Sequence, residues 1–211
     1  MNNSKSNITD MTFGSPSKHI LIFAVPLLIG NLFQQLYNMV DSLIVGNFVG
    51  ANALASVGTC GSVSFLFFAL SSGLALGIGI IVSQYFGAKN EEKVRHTIGN
   101  SFYVLIAASL VVSLIGIFFS PFIMTLLQCP DIIRKDAITY LRTSCYGIVF
   151  IALYNGVAAI LRALGDSKTP LYFLILSSIV NVVLDLVFVL CFDWAVFGVA
   201  LATVISQAVS A

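Results

Sequence analysis

The feature that most constrains this chain is the segment 20–46, which is apolar and long enough to cross a bilayer. It also carries four polar side chains at spacings of three, four and three: Asn31, Gln34, Asn38 and Asp41. At about 100° per residue these positions share one helix face, opposite a face of Leu, Ile, Val and Phe. An ionisable group at membrane depth costs at least about 2.5 kcal/mol on insertion scales. Asp41 therefore predicts a functional site inside a transmembrane helix.

The composition is that of an integral membrane protein. Of the 211 residues, 58% are hydrophobic and only 9% are charged, whereas a soluble domain carries about 25% charged residues. The mean hydropathy is +1.00. The net charge of +1 provides no field that would attract nucleic acid. We therefore predict an all-α membrane protein whose surroundings are the lipid bilayer, with no nucleic-acid partner.

Apolar runs separated by polar turns predict a tail at 1–18 and one bundle of six transmembrane helices at 19–211. The predicted spans cover residues 19–46, 52–86, 97–119, 137–162, 170–192 and 194–211. The third span is expected to stop before Pro121, leaving 121–136 as a connection. Gly73 and Gly77 form a small-xxx-small pair that predicts close helix approach. Because the last span has no flanking charge, we expect the bundle to be the first part of a longer protein.

The distribution of Lys and Arg predicts the orientation. With the N-terminus inside, seven of these residues lie on the inner side: Lys5, Lys18, Lys89, Lys93, Arg95, Arg162 and Lys168. Three lie on the outer side: Arg134, Lys135 and Arg142. The excess predicts a multi-pass protein of the plasma membrane, or inner membrane, with a cytoplasmic N-terminus.

A second carboxylate, Asp185, lies in the fifth predicted span and shares a helix face with Ser178 and Asn181. The first and fifth spans run in the same direction. At about 1.5 Å per residue, Asp41 lies about 7 Å and Asp185 about 10 Å from the outer helix ends. If the two faces meet, they form one polar pocket. Two carboxylates in a low-dielectric site cannot both stay ionised cheaply, so the pair is expected to accept a proton or bind a cation.

Other polar residues are candidates for supporting roles. Asn155 in the fourth span could join the pocket, although a lone Asn is as often a packing hydrogen bond. Pro26 has no N–H and permits a bend in the first span. The turn 160–170 is expected to end one helix at Gly165 and to begin the next after Asp166 or Ser167, with Pro170 in its first turn. The cysteines are too dispersed to predict a metal site: Cys60, Cys129, Cys145 and Cys191.

Two membrane carboxylates also raise the possibility of an intramembrane aspartyl protease. That chemistry is associated with a YD motif and a GxGD motif. Asp41 lies instead in MVDSL and Asp185 in VLDLV, so both motifs fail. The sequence therefore predicts that the chain is not an enzyme. An inactive, truncated product stays open as an alternative.

Three segments in order resemble one family: YNMVDSLIVGNFVGANALASVG (37–58), LRALGDSKTP (161–170), and Asn181 with Asp185 ahead of GVALATVISQ (198–207). They are similar to the MATE family of multidrug and toxic compound extrusion transporters. The resemblance implies twelve spans in two six-span bundles, exchanging an organic, often cationic compound for H⁺ or Na⁺. This chain would supply the first bundle and need a second one as its partner. No cofactor beyond the coupling ion is implied.

The resemblance also implies roles for individual residues. Asp41 corresponds to the acidic residue of the family's first span, and Asn181 with Asp185 matches the polar pair of the DinF-like branch. The two aspartates would be metal ligands only if coupling uses Na⁺. Asn155 resembles a fourth-span Asn near the same pocket, and Pro26 matches a proline associated with first-span bending. A lipid-linked oligosaccharide flippase of the same superfamily stays open; it would be expected to line its cavity with Arg or Lys.

Overall fold

A computed structural model describes residues 16–211, and within that range the chain is helical with no strand. The seven α-helices are α1 Pro16–Ile44, α2 Ala51–Gly87, α3 Glu91–Leu126, α4 Asp131–Tyr146, α5 Ile148–Ala163, α6 Lys168–Leu186 and α7 Ala195–Ser210. Two π-helical turns extend α1 and α6, at Val45–Val49 and Val187–Cys191. The all-α prediction is confirmed. Most of the predicted tail, residues 1–15, lies outside the described residues.

The outer surface of the bundle is apolar. Phe118 is 73% exposed and Ile132 is 82% exposed, as expected where lipid replaces water. Among the described residues, α2, α3 and the helix Lys168–Cys191 are each long and apolar enough to span a membrane. The bent pair α4 and α5 makes a fourth span if it is counted as one. The prediction of an integral membrane protein is confirmed.

The third helix does not stop at Pro121, so that prediction is wrong. It continues to Leu126, and the expected connection 121–136 shrinks to a turn before α4. Pro121 cannot donate to the carbonyl of Ile117, which would otherwise lose its partner. That carbonyl instead accepts from the Ser120 hydroxyl at 3.0 Å and from Arg142 Nε at 3.3 Å. Two side chains thus replace the missing N–H, and the helix passes through the proline.

The fourth predicted span, 137–162, consists of two helices. The α4 and α5 axes differ by 44°, and the bend lies at Gly147. A Cβ at Gly147 would lie 3.1 Å from Val204 Cγ2 on α7, which is tighter than an ordinary contact, so glycine favours this close approach of α7 to the bend. The glycine N–H bonds the Ser144 carbonyl at 2.9 Å, which tightens the end of α4.

Helix packing divides the bundle into two sides. On one side α1 packs on α6, which packs in turn on α7; on the other α2 packs along α5. Helices α2 and α5 approach closely at Gly79, where a Cβ would lie 3.3 Å from the Ala159 carbonyl oxygen. The predicted pair Gly73 and Gly77 is not such a contact, because both positions face open space among the described residues. Spacing alone did not distinguish these glycines from Gly79.

Candidate functional site

The packing of α1 on α6 brings the two predicted carboxylates together. Asp41 is 8% exposed, while Asn181 and Asp185 are fully buried. The carboxyl groups of Asp41 and Asp185 lie within hydrogen-bonding range of each other. In that arrangement the pair can share a proton. The two predicted helix faces therefore meet at their acidic residues.

The hydroxyl of Thr203 on α7 ties α1 and α6 together beside the carboxyl pair. Tyr37 donates its hydroxyl to Thr203 Oγ1 at 3.5 Å, and Asn181 Nδ2 donates to the same oxygen at 3.5 Å. Thr203 in turn donates to the Val199 carbonyl at 3.1 Å. All of the hydroxyl's hydrogen-bonding capacity is used. This orients the Asn181 amide with its nitrogen toward Thr203 and leaves its oxygen without a donor.

The site has an excess of hydrogen-bond acceptors. Four buried oxygens receive no hydrogen bond from an N–H or hydroxyl of the described residues: Asp41 Oδ1, Asn181 Oδ1 and both carboxyl oxygens of Asp185. Unsatisfied buried polar atoms are rare in native proteins and require an explanation. Oxygen ligands of this kind suit a proton or a hard cation. No group of three or more His, Cys, Asp or Glu that could hold a metal occurs among the described residues, so a cation here would depend on amide and hydroxyl oxygens as well.

Three residues of the site were not predicted. Tyr37 precedes Asp41 by one helical turn, and Thr203 lies in the motif 198–207, so both carried a signal in the sequence. Tyr140 is half-buried and packs against two core clusters beside Asp41. No local sequence pattern around Tyr140 indicates this position.

The rest of the predicted polar stripe on α1 is not enclosed with Asp41. Asn31 and Asn38 are exposed and Gln34 is half-buried. The physical reason is that α1 packs chiefly on α6, so the part of its polar face turned away from α6 has no neighbour in the described bundle. Pro26 lies within α1, which runs continuously through it.

On α6 the polar face is shifted by one residue from the prediction. Ser177, not Ser178, is buried together with Asn181 and Asp185. Ser178 is half-buried, and its hydroxyl bonds the Leu174 carbonyl at 2.8 Å within its own helix. Spacings of three and four both fit one helix face, and only packing decides between them. Ser178 is therefore placed beside the site rather than in it.

A π-helical turn follows each carboxylate. The turn Val45–Val49 begins four residues after Asp41, and the turn Val187–Cys191 begins two residues after Asp185. Val45 and Val189 are buried in the same hydrophobic cluster, so the two turns pack together. π-turns within helices often occur at functional sites. They hold the C-terminal ends of α1 and α6 together beside the carboxyl pair.

Asn155 lies in a different place, a cavity of about 460 Å³ between α2 and α5. Neither aspartate lines this cavity, so Asn155 does not join the carboxylate pocket as predicted. Its side-chain Nδ2 is buried and has no hydrogen-bond partner. Arg162, one residue before the end of α5, also lines the cavity.

The turn between α5 and α6 forms as predicted. Gly165 adopts φ 98°, and the N–H groups of Gly165 and Asp166 bond the carbonyls of Arg162 and Leu161, which closes the helix. Asp166 Oδ1 accepts from the N–H groups of Lys168 and Thr169, each at 3.0 Å. Ser167 makes no capping hydrogen bond. Asp166 is thus the residue that caps α6.

The capping bonds set the ionisation of Asp166. Burial favours the neutral acid, but bonds from the Thr169 hydroxyl and from two backbone N–H groups, with the Lys168 charge, outweigh it. The pKa of Asp166 is therefore lower than its ordinary value. This carboxylate is held ionised by its neighbours.

The chain matches the MatE family model over residues 26–187. It is 34% identical over 202 residues to a probable multidrug resistance protein, YpnP, of Bacillus subtilis (strain 168), covering 95% of this chain and 45% of that protein. It superposes on a crystal structure of MATE in complex with MaD3S with TM-score 0.87 at 27% identity, covering 93% of this chain and 44% of that one.

It also superposes, with TM-score 0.88 at 27% identity, on the outward-facing conformation of a multidrug resistance MATE family transporter of the MOP superfamily. The match covers 93% of this chain and 44% of that structure. The chain thus spans less than half the length of these relatives. The architecture of its described helices is that of the matched part.

Proposed function

This chain belongs to the MATE family of transporters, and from that premise we propose that it forms the N-terminal half of a DinF-like secondary antiporter. The whole protein would export organic, chiefly cationic compounds in exchange for H⁺ or Na⁺. Its partner would be a second six-span bundle, because the matched relatives are more than twice as long. We propose the plasma membrane as its location, and the Lys and Arg distribution supports a cytoplasmic N-terminus.

The observation that carries the proposal is the acceptor-rich carboxyl pair Asp41–Asp185 with Asn181. With one shared proton the pair is less negative and better suited to an apolar setting. When the proton leaves, the pair attracts a cation, either Na⁺ or the charged group of a substrate. Coupling follows if ion and substrate compete for one negative charge. One charge crossing a potential of 100 mV gains about 2.3 kcal/mol, enough to bias such an exchange.

Alternating access requires helices that move as units. The bundle provides one in the part of α1 before Pro26, because the other end of α1 is held to α6 through Thr203 and the two π-turns. We propose that ion binding at the carboxyl pair changes the packing of α1 on α6, with Pro26 as the point where α1 bends. Gln34 and Asn38 remain on the open face of α1, where a substrate in the central cavity of the whole transporter would meet them.

The test is drug accumulation in cells expressing the full reading frame, with Asp41→Asn and Asp185→Asn beside the wild type. We expect gradient-dependent extrusion by the wild type and its loss in both variants at equal membrane expression. Collapsing the proton and sodium gradients separately identifies the coupling ion. The matched control is Asp136→Asn, which removes an exposed carboxylate on α4 and should extrude normally.

Normal extrusion by Asp41→Asn would refute the site assignment. Absence of extrusion by the wild type, with Asp136→Asn equally silent, would refute the antiporter and favour the flippase or an inactive product. The flippase alternative is then examined by translocation of a labelled lipid-linked oligosaccharide in proteoliposomes.

A further inference from the structure

We propose that the cavity between α2 and α5 binds the oxyanion end of an amphipathic molecule, a phosphate or carboxylate attached to an apolar body. This inference goes beyond the antiport proposal, which uses no residue of this cavity. Its volume of about 460 Å³ lies within the range of small-molecule sites, about 300–1,000 Å³. Its walls are mainly small and aliphatic side chains, and its polar groups are Ser72, Ser83, Asn155 and Arg162.

The polar groups of the cavity favour an anion. Asn155 offers a buried Nδ2 that has no acceptor. Arg162 supplies a permanent positive charge and up to five N–H donors. The Ser83 hydroxyl already donates to the Ile80 carbonyl at 2.8 Å, which leaves Ser72 as the serine that can donate to a ligand. No acidic residue lines the cavity. A ligand that supplies acceptors and negative charge would pair with the Arg162 guanidinium.

Among residues 16–211, no carboxylate lies within 4.0 Å of the Arg162 guanidinium. Helix α2 contains no Asp, Glu, Lys or Arg, and Arg162 is the one charged residue of α5. The two ion pairs among the described residues join Glu92 to His96 and Asp131 to Arg134. A half-buried guanidinium without a carboxylate within 4.0 Å carries an uncompensated desolvation cost. An oxyanion that binds two of its N–H groups would offset that cost.

The fold holds the donors in place. Asn155 and Arg162 are seven residues apart, two turns along the same face of α5, or about 10 Å at 1.5 Å per residue. The backbone of Arg162 is fixed because its carbonyl accepts from Gly165 in the helix-ending turn. Between the two donors, Gly79 and Ala159 keep the wall flat and apolar. The ligand's charged group would lie at Arg162 and its apolar part along this wall.

The cavity thus has the opposite chemistry to the carboxyl pair. The pair offers acceptors without donors, and the cavity offers donors without acidic acceptors. A cation would be repelled by Arg162 and an anion by Asp41 and Asp185. The two sites are therefore expected to bind different ligands, and a change in one should leave the ligand of the other unaffected.

The experiment is equilibrium binding to the purified full-length protein in phosphatidylcholine nanodiscs, without any ion gradient. The probes are dodecyl phosphate and dodecyltrimethylammonium, which share an apolar chain and differ in charge. We expect Arg162→Gln to weaken dodecyl phosphate binding about 10-fold or more, as loss of a charge-assisted bidentate contact requires. Arg162→Lys should recover part of the affinity, because it keeps the charge but not the planar fork.

Two further variants isolate the site. Arg95→Gln removes an exposed arginine outside the cavity and should leave binding unchanged. Asp41→Asn should also leave it unchanged, so a failed antiport proposal and a failed anion site give different results.

The proposal is overturned if Arg162→Gln binds dodecyl phosphate like the wild type while its melting temperature shows that it is folded. It is also overturned if dodecyltrimethylammonium loses affinity equally, since the loss would then not depend on charge. Competition identifies the source of the oxyanion. Displacement by phosphatidylglycerol in the nanodisc supports a lipid headgroup, and displacement by inorganic phosphate supports a soluble anion.

Discussion

The molecule contains two kinds of buried aspartate, and they differ in what surrounds them. Asp41 and Asp166 are equally buried, each 8% exposed. Asp166 accepts three hydrogen bonds in the α5–α6 turn, two from backbone N–H groups and one from the Thr169 hydroxyl. Asp41 and its neighbour Asp185 retain carboxyl oxygens that receive no hydrogen bond from residues 16–211. The first aspartate is satisfied by the fold, and the other two are not.

The difference teaches that burial alone does not identify a functional carboxylate. A helix N-terminus is capped by a side-chain acceptor and gains further from a negative charge, and here the backbone N–H groups hold that acceptor ionised. A site that exchanges ions needs the reverse, because a carboxylate satisfied by fixed donors has no reason to take up and release a proton. The number of donors around the acid is therefore the more informative quantity. The predictions below separate the two roles by measuring transport and stability together.

The largest expected effect is the loss of transport in Asp185→Asn, by about 100-fold or more. The amide removes a titratable group and half of the negative charge of the pair. Transport per folded molecule should stay near the wild-type value in Asp166→Asn. The measurement is gradient-driven drug uptake into everted vesicles, normalised to folded protein. Equal losses in both variants would show that the two aspartates do not differ in role.

A second effect concerns Thr203, the residue that connects the site to α7. Thr203→Val keeps the shape but leaves the Tyr37 hydroxyl and Asn181 Nδ2 without their acceptor. Losing partners for buried polar groups costs about 1–3 kcal/mol. We expect a lower melting temperature in detergent and weaker binding of the coupling ion. Thr203→Ser retains the hydroxyl and should behave like the wild type; a melting temperature as low as that of Thr203→Val would point to lost methyl packing instead.

The sequence allowed prediction of the helices and of the acidic centre of the site, because both follow from local patterns. Apolar runs of sufficient length identify spans, and costly carboxylates within them stand out. The features that the sequence did not reveal depend on contacts between residues that are far apart along the chain. Arg142 lies 25 positions from the Ile117 carbonyl that it supports beside Pro121. Tyr140 on α4 lies in the neighbourhood of Asp41 on α1, which is 99 positions away, and Val204 on α7 packs at Gly147.

The two π-turns were likewise not predicted. Each π-turn adds one residue to a turn of the helix. The hydrophobic pattern of these segments is equally compatible with an uninterrupted α-helix. Their positions depend on how Val45 and Val189 pack against each other. The same limit applies to Ser177 and Ser178, where the sequence allows either residue to face the site. The polar residues that line the cavity between α2 and α5 are visible in the sequence. Only the packing of α2 on α5 shows that they lie together.

A third prediction compares how substitution of Asp166 and of Asp185 changes the free energy of unfolding. Asp166→Ala removes the cap of α6 and should lower the free energy of unfolding by about 1 kcal/mol. Asp185→Asn should not destabilise the fold, because it replaces an unsatisfied buried acid with a neutral side chain of the same size. Thermal unfolding in one detergent compares them. Destabilisation by Asp185→Asn beyond that of Asp166→Ala would mean that the carboxyl pair is structural.

The smallest effect is the pH dependence of the α5–α6 turn. The pKa of Asp166 is lower in the folded protein than its ordinary value, because hydrogen bonds from Thr169 and Lys168 outweigh burial. Since the folded state binds its proton more weakly than the unfolded state, the stability gained from this group is fully present above about pH 4. It is lost as the pH falls through the folded-state pKa.

We therefore expect the melting temperature of the wild type to approach that of Asp166→Asn as the pH falls below about 4. At neutral pH the wild type should be the more stable of the two, because only the carboxylate accepts charge-assisted bonds at the helix N-terminus. Asp136→Asn, which alters an exposed carboxylate, serves as the control and should show no such convergence. A constant difference between wild type and Asp166→Asn across the titration would mean that the cap acts through shape and not through charge. Asp166 would then no longer be the ionised counterpart of the carboxyl pair.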